Sequence, residues 1–80
     1  AIATARLNAT MRNAPGVLGQ VTTLIGEAGG NITNLSMAHR QQDFFDVVID
    51  VEVEDAKRAT NIIAALRANP YVDTVERSRG

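Results

Sequence analysis

The sequence predicts an α+β domain in the order β-α-β-β-α-β, with two helices on one face of a four-stranded antiparallel sheet. Three observations predict it. Every second residue from Phe45 to Val53 is apolar, and four of the six positions alternating with them are acidic, the pattern of a half-buried strand. Two other stretches carry apolar residues at helical spacing, each ended by a glycine or proline stop signal. The 80 residues are 45% hydrophobic and 21% charged, a globular composition with length for one small domain.

The first strand spans residues 2–12. Ala5, Leu7, Ala9 and Met11 point one way, and Thr4, Arg6, Asn8, Thr10 and Arg12 the other. Asn13-Ala14-Pro15-Gly16 breaks the alternation. Asn is a good N-cap and Pro suits a first helical turn, so the first helix is expected to start here. Val17, Leu18, Val21, Leu24, Ile25 and Ala28 form its apolar face, and Gly29-Gly30 ends it. The second strand covers 31–39. Ile32 has one parity and Leu35 and Met37 the other, which predicts a bulge near Thr33 or Asn34. Met37 reads as core filler. Residues 40–43 make a polar turn. In the third strand Phe45, Val47, Ile49, Val51 and Val53 face the core. Asp55 is the expected N-cap of the second helix, with Ala59, Ile62, Ile63 and Leu66 as its buried stripe and Asn69-Pro70 as its stop. Residues 71–78 form the last strand, with Val72 and Val75 apolar.

Two right-handed crossovers place both helices on one face. This is the ferredoxin-like plan, with expected strand order 4-1-3-2. The bare face should then set Arg6 and Arg12 beside Asp46, Asp50 and Glu52, each opposite-charge pair contributing about 0.2–1 kcal/mol. Phe44 and Val48 are misfits on that face. They point either to a partner surface, including a face-to-face dimer, or to ordinary isolated exposure.

Composition narrows the function. Eight basic and nine acidic residues give a net charge of −1, which argues against coating nucleic acid or an anionic membrane. There is no cysteine and one histidine, so thiolate and His-rich metal sites, disulfides and a cysteine nucleophile are excluded. No apolar run approaches a membrane span and no signal peptide is visible. The chain does not begin with methionine and is read as one regulatory domain, residues 1–80, excised from a longer cytoplasmic protein. Copper chaperones of this plan need a Cys pair, RNA-recognition domains need aromatics on the central strands, and acylphosphatases need a donor-rich first loop. There is no Cys, strand 1 has no aromatic and strand 3 offers only Phe44 on the bare face, and the first loop has Arg12 and Gly16 but no cluster of donors. No nucleophile–base pair can be assembled, so no catalytic residue and no cofactor is expected.

The distinctive segment is the loop after the first strand, with the start of the second. Asn13, Ala14, Gly16, Val17 and Leu18 bring an amide and a helix N-terminus together, which suits a carboxylate. Gly16 lets a ligand approach the backbone. Asn31 and Asn34 add donors and acceptors without charge, a set that fits a small zwitterion. The alternative is a capped turn and a tight glycine turn with no ligand. His39 reads as a solvated strand end. Asp50, Glu52 and Glu54 lie about 6–7 Å apart along an extended chain, a solvated face and not a metal site.

The run Asn13-Ala14-Pro15-Gly16-Val17-Leu18, Val21, Ile25 and Gly30-Asn31-Ile32 resembles the N-terminal signature of the ACT domain, a small regulatory module. Further on, Thr33-Asn34-Leu35, Asp43-Phe44-Phe45-Asp46, Ile49-Asp50-Val51-Glu52-Val53, Asn61–Ala68 and Val75–Gly80 look like the C-terminal ACT domain of the RelA/SpoT homologues of alphaproteobacterial type. The resemblance implies a parent enzyme that makes and degrades (p)ppGpp, a GTP pyrophosphokinase of the stringent response, with the catalytic domains elsewhere. It implies a homodimer through ACT–ACT contacts, with an amino acid between the strand 1–helix 1 loop of one copy and strand 2 of the other. Carried over by position, the ligand residues are Asn13, Ala14, Gly16, Val17, Leu18, Asn31, Ile32 and Asn34. Val17, Leu18 and Ile32 would favour an aliphatic side chain. Some amino-acid-binding members carry Asp where Asn13 stands, so only a carbonyl faces the ligand amine here. Other partners implied are the remaining domains of the parent and, for the full-length protein, the ribosome. The alternatives are an ACT module that pairs without a ligand, and the ACT domain of another metabolic enzyme.

Overall fold

In the computed structural model, which describes residues 2–78, the order is β1 (Ala3–Arg12), α1 (Val17–Glu27), β2 (Asn31–Arg40), β3 (Phe44–Val53), α2 (Ala56–Arg67) and β4 (Val72–Arg77). Arg79 and Gly80, part of the resemblance, lie outside the described residues. The sheet order is β2-β3-β1-β4, the expected order read from the other edge. β1 and β3 pair antiparallel without a break from Ala3↔Val53 to Arg12↔Phe44. Their matched alternation turns Ala5, Leu7, Ala9 and Met11 and the five apolar residues Phe45–Val53 toward the helices, where all are buried.

β2 carries two register shifts against β3. One lies between Ile32 and Asn34, where the parity change of the sequence places it. The other, between Met37 and His39, leaves no such mark in the hydrophobic pattern. Val17, Val21 and Ile25 from α1 and Ala59, Ile62 and Leu66 from α2 close the core, with Leu18, Leu24, Ala28 and Ile63 half-buried at its rim. Each fully buried large aliphatic side chain contributes about 1.5–3 kcal/mol.

The helix ends follow local chemistry. Asp55 Oδ1 accepts the Arg58 N–H at 2.9 Å, the expected cap of α2. α1 ends in a Schellman arrangement: Gly30 N–H bonds Ile25 O at 2.9 Å, Gly29 N–H bonds Gly26 O at 3.1 Å, and Gly29 takes φ +91°. Gly30 then passes between the sheet and both helices. A Cβ there would stand 2.7 Å from Val51, 2.8 Å from Ile25 and 2.9 Å from Ile62.

Met37 departs from the expectation of core filler. It lies on the helix side of β2 but is 45% exposed. An edge strand of ten residues is about 33 Å long and an eleven-residue helix about 16 Å, so α1 leaves part of β2 uncovered.

Candidate functional site

The loop between β1 and α1 is a type II turn. Ala14 O accepts the Val17 N–H at 3.3 Å, with Pro15 and Gly16 at the two central positions. Gly16 has φ +84° and ψ −9°, which that position requires and which an L side chain would strain. The turn separates Asn13 from the helix, so Asn13 is not the N-cap. Gly16 stands there instead, and no side chain caps α1. The first-turn N–H groups of Leu18 and Gly19 therefore have no side-chain acceptor, and the positive end of the helix dipole faces the loop.

Asn13 is used in another way. Its Nδ2 donates to Gln41 O at 2.9 Å and to Gln42 O at 3.3 Å, and its backbone N–H donates to Asp43 O at 2.9 Å. The loop is thus fastened to the β2–β3 turn. Those three turn residues are part of the site's frame. Short-range pattern could not point to them, because the bond spans 28 residues of chain. With both amide hydrogens committed, Asn13 Oδ1 is the atom that can accept from a ligand.

Five of the eight candidate residues sit together. Ala14 and Gly16 are exposed, Asn13 and Leu18 half-buried, but Val17 is only 2% exposed and belongs to the core. The other three lie elsewhere. Arg12, at the loop, pairs with Phe44, whereas Asn31 pairs with Glu52, eight residues and about 27 Å away along β3. They also divide between faces. Ile32 is on the helix side, opposite Val51, while Asn31 and Asn34 are on the bare side, opposite Glu52 and Asp50. A single chain does not bring the two halves together.

The bare face holds the expected charge pairing in part. Arg6 Nε and Nη2 donate to the two Asp50 oxygens at 2.8 and 3.1 Å. The hydrogen bond from Arg6, its charge and a bond from Asn34 together hold the Asp50 carboxyl below its ordinary value, against a smaller opposing effect of desolvation. Asp46 accepts from Thr10 Oγ1 at 2.6 Å. Arg12 meets no carboxylate among the described residues. Its guanidinium stands 5.7 Å over the Phe44 ring, which half-covers one of the two apolar misfits. A depression of about 770 Å³ lies at the Arg6–Asp50 pair and is lined by Arg6, Asp50 and Arg77 among others. A second, about 160 Å³, lies between His39, Asp46 and Asp73. Neither is lined by a residue from 13 to 18. Among the described residues no three His, Asp or Glu side chains are placed to hold a metal ion, and no helix is long and apolar enough to cross a membrane.

The fold and the Pro-Gly turn define a ferredoxin-like α+β module with an uncapped helix end beside its central strands. Residues 3–77 match the family model of the ACT domain, and the chain belongs to the ACT domain family. It is 37% identical over 76 residues to the GTP pyrophosphokinase rsh of Brucella abortus (strain 2308), covering 95% of this chain and 10% of that protein. The corresponding protein of Brucella ovis is 36% identical over the same length. The chain spans about a tenth of the length of these relatives. Among solved structures, the ACT domain from the GTP pyrophosphokinase of Chlorobium tepidum superposes with a TM-score of 0.82 at 22% identity, covering 98% of this chain and all of that one. A homoserine dehydrogenase from Thiobacillus denitrificans gives 0.79 at 20% identity, covering 96% of this chain and 17% of that one. At these identities the superpositions establish the fold.

Proposed function

We propose that this chain is the amino-acid-sensing ACT domain of a bifunctional (p)ppGpp synthetase/hydrolase, a GTP pyrophosphokinase, and that it binds a small aliphatic amino acid between two copies of itself. The domain does no chemistry. It biases the two activities of a longer cytoplasmic parent by binding, and acts on the parent's other domains and, in the full-length protein, on its contact with the ribosome. The similarity to the rsh proteins supports the parent.

The observation that carries the two-copy site is the separation of its halves. They lie at opposite ends of β2, so an antiparallel partner strand brings the start of one β2 to the end of the other. That end joins the turn to which Asn13 ties the loop. β2 is also the edge suited to pairing. Residues 31–38 carry no charge and no proline, whereas β4 is six residues long with Asp73, Glu76 and Arg77. At the assembled site the uncapped N–H groups of α1 donate to the ligand carboxylate, Asn13 Oδ1 accepts from its ammonium, and Leu18 with Ile32 of the second copy flanks its side chain.

A module that pairs without a ligand is the second reading, favoured by the absence of loop residues from both depressions. Thermal unfolding against each of the twenty amino acids at about 10 mM separates the two. A dissociation constant near 1 mM adds roughly 1.4 kcal/mol, which raises the midpoint by about 5–10 °C in a domain of this size. A selective shift with Val, Ile or Leu that is lost in Asn31→Ala supports sensing. No shift with any amino acid supports the ligand-free module, and binding only to Asp or Lys refutes the aliphatic site.

A further inference from the structure

The pairing of two β2 edges proposed above has a definite register. We infer that it is centred on Ser36, so that Ser36 faces its own copy across the two-fold axis and Leu35 faces Met37 of the second copy. This rests on that pairing and adds the contact that fixes it.

The alternation of β2 limits the choices. Between its two register shifts, Asn34–Met37 is regular. Asn34 and Ser36 oppose bare-face residues of β3, and Leu35 and Met37 oppose core residues. A two-fold axis normal to the sheet keeps every residue on its own face. Residues directly opposite in an antiparallel pair also share a face. Within this stretch, only like-facing residues can therefore oppose each other. The axis then passes through Leu35 or Ser36, because centring on Asn34 or Met37 sets much of the pairing against a bulge.

Side-chain packing decides between the two. Each choice sets one residue against a bulge, Met37 against Thr33 for an axis at Leu35 and Asn34 against Ala38 for an axis at Ser36, but the first leaves the apolar Met37 opposite a polar residue. Centring on Ser36 makes two Leu35–Met37 pairs side by side on the helix face. These cover Met37, the 45%-exposed residue of β2 that α1 leaves uncovered. Cross-strand apolar pairs of this kind are the unit of sheet stabilisation. On the bare face Ser36 meets Ser36 and Asn34 meets Ala38, all uncharged. Arg40, the one arginine of the strand, falls beside Ile32 of the second copy and not beside its own counterpart. In this register Asn31 and Ile32 run alongside the Arg40–Gln41 end of the other chain. The Gln41 and Gln42 carbonyls there hold Asn13, so the pairing delivers Ile32 to the β1–α1 loop.

The test uses a residue on the axis. Directly opposed antiparallel residues have Cα atoms about 4.5–5.5 Å apart, inside the range a disulfide spans. The natural sequence has no cysteine, so one introduced thiol reports a single contact. Ser36 is exposed, and Ser36→Cys leaves the core untouched. The chain is sized by sedimentation, and Ser36→Cys, Leu35→Cys and Val48→Cys are then oxidised and run on a non-reducing gel. The expected result is a dimer in solution and a doubling of apparent mass for Ser36→Cys, reversed by dithiothreitol, with much slower crosslinking of the other two. Crosslinking of Leu35→Cys in preference to Ser36→Cys overturns the register while the β2 pairing stands. Crosslinking of Val48→Cys alone, or sedimentation as a single chain, overturns the pairing itself.

Discussion

Replacing Gly30 by alanine puts a methyl group where three buried side chains already meet. The new carbon would lie 2.7 Å from Val51 Cγ1, 2.8 Å from Ile25 Cγ2 and 2.9 Å from Ile62 Cδ1, against about 3.5–4.0 Å for comfortable carbon contacts. The three neighbours come from β3, α1 and α2, and all are buried, so none can swing into solvent. The chain must shift the sheet relative to both helices or drive side chains off their rotamers. Overpacking of this kind costs about 1–3 kcal/mol. At about 4–8 °C per kcal/mol for a domain of this length, the melting temperature falls by roughly 5–20 °C. The assay is thermal unfolding followed by circular dichroism, with Gly26→Ala beside it. Gly26 sits in α1, and a Cβ added there would meet nothing within 4 Å, so the same chemical change gains up to about 0.5–1 kcal/mol and raises the midpoint. Opposite signs for one substitution isolate packing from the loss of chain entropy. A Gly30→Ala protein melting within about 2 °C of wild type, well under the change expected for 1 kcal/mol, would refute the close approach of β2 to the helices.

The remaining predictions concern the helix ends and the bare face. Asp55→Ala removes the acceptor for the Arg58 N–H and should lower stability by about 1 kcal/mol, read by urea unfolding. Gly16→Ala forces a Cβ into the left-handed region and should cost about 1–2 kcal/mol by the same measurement. Its amino-acid response should also weaken if the loop carries the ligand. The Asp50 carboxyl titrates below its ordinary value in the folded protein, so its contribution is complete above the unfolded value near 3.8 and is lost as pH falls through the folded one. The difference in melting temperature between wild type and Asp50→Asn should therefore be constant near neutral pH and shrink only below that value. It should also be small, because both partners are partly solvated.

Most of the fold was legible because two strands and two helices each have one apolar face of regular period. β1 and β3 alternate cleanly, which sets their faces and puts Arg6 and Arg12 on the same bare face as Asp46, Asp50 and Glu52. Which of these meet depends on a register that period two leaves open by steps of two residues, and the structure pairs Arg6 with Asp50. The bulge at Thr33 was legible because it shifts the parity of Ile32 against Leu35. The second bulge, before His39, lies where no apolar residue follows to reveal a change of parity. Asn13 was misplaced because a cap is judged from neighbours in sequence, while its amide is claimed by carbonyls far along the chain. Met37 was misplaced for a related reason. Alternation tells which face a residue takes, but not whether a helix reaches far enough to cover it. The candidate site was legible only as two halves. In the proposed site their joining needs a second chain, which neither period nor spacing within one chain describes.

A complementation experiment tests the shared site most directly. Ala14→Asp sets a negative charge in the exposed loop against a ligand carboxylate, and Asn31→Ala removes the amide at the start of β2. Each variant alone should bind no aliphatic amino acid by equilibrium dialysis. Unfolded and refolded together in equal amounts, they should recover about a quarter of wild-type capacity, because half of the dimers are mixed and each mixed dimer holds one intact site of two. Recovery near that value is the result expected of a site built from the loop of one chain and the strand of another. Binding by the wild type with no recovery in the mixture would contradict it and place the ligand within a single chain.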